Sequence, residues 1–425
     1  MILLIFKSLR KFCKLNINIK SNDVTDVYRC SYLQNRYLER KFSSTIISEI
    51  DISNELNFNN ITKSIIQLLN TNSVFRTVIN KIDNENMFVE HNLLKNLELR
   101  YSDISNYSSN FGEIYLRLVK NYLFKLMSNR KLEGNILFNI LIIKVNLKDY
   151  KLIFACDHNI FDGASDRILK NNFYNCYRSV KNGINNSVKN GTYKEYMEFC
   201  KKSTNYNKIL KYKNSDYYIS YNNYVINNLN KIKDKVSLKL GARPTIFHFD
   251  INENEIDREN FSQKVFSIAL FHFINICSEI FEIDKVPIQV SRNGRSIEWS
   301  KYTNVIGDCH INIPVLFNVN KIDYNHCYNQ LVGIENEIYI KQKIHFGEMI
   351  NRYYGDREIY DIMKKLCISF NFIGEVSEES EKEMLNSTKY MKESFDLSAI
   401  SYLTNNKIAI ILLNGVKEGY KVKLE

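Results

Sequence analysis

Cys156-Asp157-His158-Asn159-Ile160-Phe161-Asp162-Gly163 places an imidazole and a carboxylate four residues apart and ends on a glycine. The residues before it, Leu152-Ile153-Phe154-Ala155-Cys156, form an unbroken apolar run, which predicts a strand covered on both faces. After it, Ile168, Leu169, Phe173, Tyr177 and Val180 fall close to helical spacing. The octapeptide is therefore a predicted strand-to-helix connection with His158 at its mouth. An imidazole held there on rigid backbone is able to take a proton from an amine, a hydroxyl or a thiol near neutral pH. Gly163 is expected to permit a sharp turn without a Cβ clash. The plainer alternative is a histidine satisfied in a loop, with Asp162 capping the next helix. A lone HxxxD pattern does not choose between them. Cys156 lies two residues before His158 and so on the same strand face, which leaves open a nucleophilic Cys–His pair. A buried small hydrophobe is the commoner fate of such a cysteine.

Working outward, Phe138–Val145 and Tyr150–Cys156 are predicted strands joined by Asn146-Leu147-Lys148-Asp149. Phe111–Met127 and Ile61–Leu69 have helical periodicity, and Phe75–Ile79 reads as a strand with Arg76 near its start. Asp83-Asn84-Glu85-Asn86 is a turn from which Met87-Phe88-Val89 returns. Ser31 and Gln34, three apart, have the spacing of a capping box at a helix start. Residues 181–192 are polar with two glycines and read as a linker, after which the chain stays Tyr- and Asn-rich and shows no clear element up to Gly241. Beyond it, Thr245–Ile251 alternates as a strand, and Phe261–Phe281 is apolar nearly all round, the mark of a buried helix. Val286–Ser291, Ile311–Val319 and Ile368–Ile373 are further strands. Leu331–Ile340 is a helix, and Ala399–Leu403 with Ile408–Leu413 is a hairpin around Asn405-Asn406. The fold class expected is α+β, with an N-terminal extension over 1–25, one lobe over 26–180, the 181–192 linker and a second lobe of similar element order over 193–425.

The 425 residues, 44% hydrophobic and 13% aromatic, belong to a folded globular chain with a substantial core. A net charge of +11 suits an acidic partner. Abundant Lys, Asn, Ile and Tyr also point to a coding bias, and without an arginine-rich stripe nucleic acid is not expected as a partner. The nine cysteines form neither CxxC nor zinc spacing, so reduced thiols in a cytoplasm are expected, and no metal. The opening Met1-Ile2-Leu3-Leu4-Ile5-Phe6 is too short for a membrane span, and Lys7, Arg10, Lys11 and Lys14 follow it, the reverse of a secretory signal.

Taken together, the segments resemble the condensation domains of nonribosomal peptide synthetases, within the chloramphenicol acetyltransferase-like acyltransferase superfamily. Ser31-Tyr32-Leu33-Gln34 is similar to the family's opening LSxxQ, Phe75-Arg76-Thr77 to LRT, and Asp157–Gly163 to HHxxxDG. Arg292-Asn293-Gly294-Arg295 with Gly307 and Pro314 is similar to the GR…G…P region, and Ser369–Gly374 to the late NYxG strand. Asp157 replaces the first histidine of the pair, and Ile311 and Leu316 stand where an asparagine and an arginine are expected. The resemblance implies two chloramphenicol-acetyltransferase-like lobes in a V-shaped pseudo-dimer around a central tunnel. It implies amide or ester formation from an acyl thioester on the phosphopantetheine arm of a carrier protein, with an amine or alcohol acceptor. His158 is then the catalytic base or acceptor-orienting group, and the Gly163 N–H an oxyanion donor. Asp162 is structural, paired with Arg295, and Asp157 stands beside them at the site. No bound cofactor is implied, and a free-standing monomer is expected. The alternatives are a coenzyme A-dependent O- or N-acyltransferase and a degenerate module that only recruits a carrier protein.

Overall fold

Among the described residues of the computed structural model, apolar runs and alternating stretches become strands of three sheets, and the amphipathic stretches become their covering helices. The structure describes residues 24–39, 45–53, 58–93, 99–183, 191–235, 245–251, 261–321, 323–352, 368–378, 381–382, 385 and 397–413. The extension proposed over 1–25 therefore lies outside the described residues except for Val24 and Thr25, which begin a strand. Cys13 and Cys367 lie outside them as well. The chain divides into two units, Met1–Glu198 with Glu298–Cys309, and Phe199–Ile297 with His310–Glu425. The division at Glu198 falls past the 181–192 segment, and the return of 298–309 to the first unit has no signal in composition.

In the first unit the described order is β1 (Val24–Arg29), α1 (Tyr32–Glu39), β2 (Thr45–Ser53), α2 (Phe58–Thr71), β3 (Thr77–Ile82), β4 (Glu85–His91) and β5 (Arg100–Asp103). Next come α3 (Ser109–Ser128), β6 (Phe138–Lys144), β7 (Asp149–Asp157), α4 (Gly163–Lys181) and the start of α5 (Tyr193–Ser203). One sheet runs β1-β4-β3 and the other β2-β7-β6-β5. β7 is thus flanked on both sides, with Cys156 opposite Ile46 on β2 and Phe138 on β6. That central place explains the unbroken apolar run: Leu152 through Asp157 are all buried. Alternation sends Ile153 and Ala155 into the core made by Tyr115, Val119, Leu123 and Met127 of α3. Phe154, on the other face, meets Phe75 with ring centroids 6.3 Å apart.

Two expectations change here. Phe75 and Arg76 are not strand residues; they close a 3-10 turn, with the Phe75 N–H donating to Asn72 O at 3.1 Å, and the strand begins at Thr77. β2 was not anticipated, although Thr45–Ser53 alternates enough to signal it.

The second unit continues through α5 to α6 (Tyr206–Lys213), α7 (Asp216–Lys235), β8 (Thr245–Asp250), α8 (Phe261–Phe281) and β9 (Lys285–Asn293). The short α9 (Trp299–Tyr302) lies in the segment that returns to the first unit. β10 (His310–Asn318), α10 (Tyr324–Ile334), α11 (Phe346–Arg352), β11 (Ile368–Glu375), β12 (Leu397–Thr404) and β13 (Lys407–Leu412) complete the second. Its sheet runs β10-β9-β11-β12-β13-β8. α8 is the buried helix expected, with Phe273 stacked on Phe370 of β11 at 5.2 Å. By length and composition α8 would suffice to cross a membrane, but most of it is buried in this core. Asn405 and Asn406, at φ 46° and 60°, make the two-residue turn of the β12–β13 hairpin. The stretch that showed no element before Gly241 is helical through Lys235, and the helix expected over Leu331–Ile340 passes into a π-helical turn from Glu335.

Candidate active site

β7 ends at Asp157, and the next residues make a tight turn: the Ile160 N–H donates to Asp157 O at 3.1 Å. The Asp157 carboxylate belongs to that turn. Its Oδ1 accepts from the Asn159 N–H at 2.9 Å and from Asn159 Nδ2 at 2.6 Å. It is fully buried on the face of Ile153 and Ala155, and its charge acts on the half-buried Arg130 just beyond α3. The Arg130 guanidinium also donates to the carbonyls of Ile136 and Phe138. The substitution of aspartate for the first motif histidine is therefore accommodated by the turn itself.

Asp162 caps α4. Its Oδ1 accepts from the Ser165 N–H at 2.8 Å, and its Oδ2 from the Cys309 N–H at 3.0 Å. The capping role offered as the plainer reading is thus real, and it coexists with a tertiary one. Ser165 extends the same junction: its hydroxyl lies 2.7 Å from Asp162 Oδ1 and 3.0 Å from Gly307 O, and it accepts from the Gly307 N–H at 3.2 Å. The returning segment 307–309 is consequently fastened to the start of α4.

Gln34 fastens it from the other side. The capping box forms, with the Ser31 N–H donating to Gln34 Oε1 at 2.7 Å and the Gln34 N–H to Ser31 Oγ at 3.2 Å. The Gln34 amide then donates to Asn159 O and to the Tyr193 hydroxyl, each at 2.7 Å. Burial pushes the Tyr193 hydroxyl well above its ordinary pKa, so it remains a donor, and it bonds Asp308 O at 3.0 Å. Gly307 is required here: a Cβ would stand 2.1 Å from Tyr193 Cδ2.

His158 is carried on the far side of this scaffold, its side chain 23% exposed. Tyr37 of α1 meets its ring edge-on, with centroids 5.6 Å apart. The carboxylate facing it is that of Asp308, with Oδ1 3.6 Å from His158 Nδ1 and a side chain 0% exposed. Sequence reasoning placed Asp157 next to His158 and missed Asp308, whose neighbour Gly307 was the only local landmark.

The other expected residues fall as follows. Gly163 opens α4 and so leaves an N–H without an intrahelical acceptor. It is not in the left-handed region, and a Cβ there would meet nothing within 4 Å, so the expected steric need for glycine in the turn is corrected: the space in front of it is open. Cys156 is fully buried, and burial, reinforced by the Asp157 charge, pushes its thiol well up. A thiol so held is a core side chain and not a nucleophile. Arg295 lies in the second unit, fully buried in the 3-10 turn Gly294–Glu298, and bonds Asn293 Oδ1 at 3.1 Å. Arg76 is buried too and serves the β3–β4 hairpin, donating to His91 O and pairing with Glu90 at 3.2 Å.

Comparison with known proteins bears on the fold that carries this site. Residues 26–218 match the model of the condensation domain family. The epimerization domain from the third module of tyrocidine synthetase B superposes with a TM-score of 0.61 at 15% identity, over 93% of this chain and 94% of that one. The first condensation domain of the calcium-dependent antibiotic synthetase, in complex with a substrate analogue, gives 0.58 at 11% identity, over 93% of each chain. A mutant starter condensation domain of rhizomide synthetase, in complex with C8-CoA and Leu-SNAC, gives 0.59 at 10% identity, over 93% of this chain and 90% of that one. No curated protein sequence matches the chain. Across nearly its whole length the chain thus has the α+β fold of condensation and epimerization domains, and over residues 26–218 its sequence is similar to the condensation domain family.

Proposed function

We propose that the protein forms an amide or ester bond by direct transfer of an acyl group from a phosphopantetheine thioester to an amine or alcohol. The observation that carries this reading is His158, half-buried at the end of a rigid central strand with a carboxylate facing its Nδ1. Nε2, on the other side of the ring, is then the nitrogen that meets the acceptor. As the acceptor nitrogen or oxygen attacks the thioester carbon, Nε2 takes its proton. The carbonyl oxygen becomes an oxyanion, for which the Gly163 N–H at the positive end of α4 is the proposed donor. Collapse of the intermediate re-forms the carbonyl, breaks the C–S bond and releases the thiolate, which the imidazolium protonates. The inert, buried Cys156 favours one-step transfer over a cysteinyl acyl-enzyme.

Asp162 and Arg295 belong to the proposal as structural residues, with Arg295 taken as the arginine partner that the family resemblance assigns. The carrier protein as donor rests on the similarity of residues 26–218 to the condensation domain family and on the net charge of +11, which suits an acidic partner. A cytoplasmic location rests on the described cysteines, which are buried thiols outside any disulfide. The test is incubation of the protein with one acyl group presented as carrier-protein, coenzyme A and N-acetylcysteamine thioesters, against a panel of amines and alcohols. Acceptor-dependent product and stoichiometric thiol release, fastest from the carrier protein, are expected. Preference for coenzyme A would make it a coenzyme A-dependent acyltransferase. No acceptor-dependent product from any donor would leave carrier recruitment as the function.

A further inference from the structure

The unanticipated group at the site is Asp308, and the way it is held is more informative than its presence. Its backbone is fixed on three sides: Gly307 is bonded to Ser165, the Cys309 N–H to Asp162, and the Asp308 carbonyl to the Tyr193 hydroxyl. Tyr193 is held in turn by Gln34, which also grips Asn159, the residue after His158. One set of hydrogen bonds thus sets both the His158 turn and the Asp308 backbone, and both lie in the first unit.

We propose that Asp308 is a positioning residue that holds His158 in the Nδ1–H tautomer, leaving the Nε2 lone pair to receive the acceptor's proton. A carboxylate is an acceptor only, so the ring nitrogen facing it must carry hydrogen. A neutral imidazole has one N–H, so the other nitrogen is then the base. The separation of 3.6 Å between His158 Nδ1 and Asp308 Oδ1 exceeds a direct hydrogen bond. Such contacts are commonly loose without substrate and tighten in the reacting complex. The edge-on ring of Tyr37 limits how far the imidazole turns away. In the reaction the proton moves from the acceptor to Nε2 and on to the leaving thiolate.

The inference rests on the acyl-transfer reading, and its test separates the two. The first readout needs no substrate: 15N NMR of histidine-labelled protein in mildly alkaline buffer, with the His158 signal assigned by its loss in His158→Gln. The Nδ1–H tautomer is expected in the wild type and an increased Nε2–H fraction in Asp308→Asn, whose carboxamide both donates and accepts. The second readout is kinetic. Asp308→Asn, nearly isosteric, should lower kcat by about 10- to 10³-fold with KM for the donor little changed and thermal stability retained. A wild-type Nε2–H tautomer, or kcat within about twofold in Asp308→Asn while His158→Gln is inactive, overturns the positioning role and leaves acyl transfer standing. Retained transfer in His158→Gln overturns the His158 reading itself, and the tautomer still decides what Asp308 does to the ring.

Discussion

At the scale of single residues, the two acidic members of the signature stretch have distinct physical roles. Asp157 completes a buried turn, whereas Asp162 ties the start of α4 to residue 309. Asp162→Ala removes an N-cap, worth about 1 kcal/mol, and leaves the buried Cys309 N–H unsatisfied, which costs a further ~1–3 kcal/mol. Urea denaturation of this variant should show a loss of about 2–4 kcal/mol; a midpoint equal to the wild type would contradict the tertiary role. His158 was legible in the sequence because its flanks spell out a strand and a helix. Asp308 was not, since it reaches the site through a segment fastened to Ser165, 142 positions away in the chain. Distances of that kind are created by the fold and leave no local pattern.

At the scale of elements, the junction between the 307–309 segment and α5 depends on a missing side chain. Gly307→Ala would drive a Cβ into the Tyr193 ring, which is backed by Tyr196 at 6.2 Å and cannot simply swing aside. The expected cost is about 1–3 kcal/mol. Acyl transfer should fall more than stability suggests, because Tyr193 holds Asp308 and Gln34; a variant as stable and active as the wild type would show that the junction is not needed. The same tyrosines explain what the sequence hid. Tyr193, Tyr196 and Cys200 of α5, and Tyr218, Tyr221 and Val225 of α7, are buried at helical spacing. Tyrosine supplies the apolar stripe among asparagines of low helix propensity, so a count of aliphatic residues finds nothing there. Where the apolar members are aliphatic or Phe, as in β7 and α8, periodicity and burial agree. The Asp83-Asn84 and Asn405-Asn406 turns were equally legible, since both pairs adopt the positive φ that these residues tolerate.

At the scale of the whole molecule, acid stability follows from histidines buried in neutral form. Burial, aided by the charge of His310, pushes the His345 pKa down to about 4 from an ordinary 6.5. Its Nδ1 accepts from the Glu348 N–H at 3.2 Å, a bond that protonation would break. Between those two pH values the unfolded chain binds more protons than the folded one, so stability is full above about 6.5 and falls as the pH drops toward 4. The loss reaches the order of 3 kcal/mol from this residue. Melting curves from pH 7 to 4 should be markedly less steep in His345→Gln, and an unchanged slope would assign the acid sensitivity elsewhere. The central claim, that an α+β condensation fold presents His158 as the base of acyl transfer, has its own measurement. It is the single-turnover rate of product formation by His158→Ala, with folding verified by an unchanged melting temperature and wild type assayed beside it. A loss of about 10²–10⁴-fold is expected, smallest for the most nucleophilic amine acceptors; a rate equal to wild type on every acceptor would rule out His158 as the base.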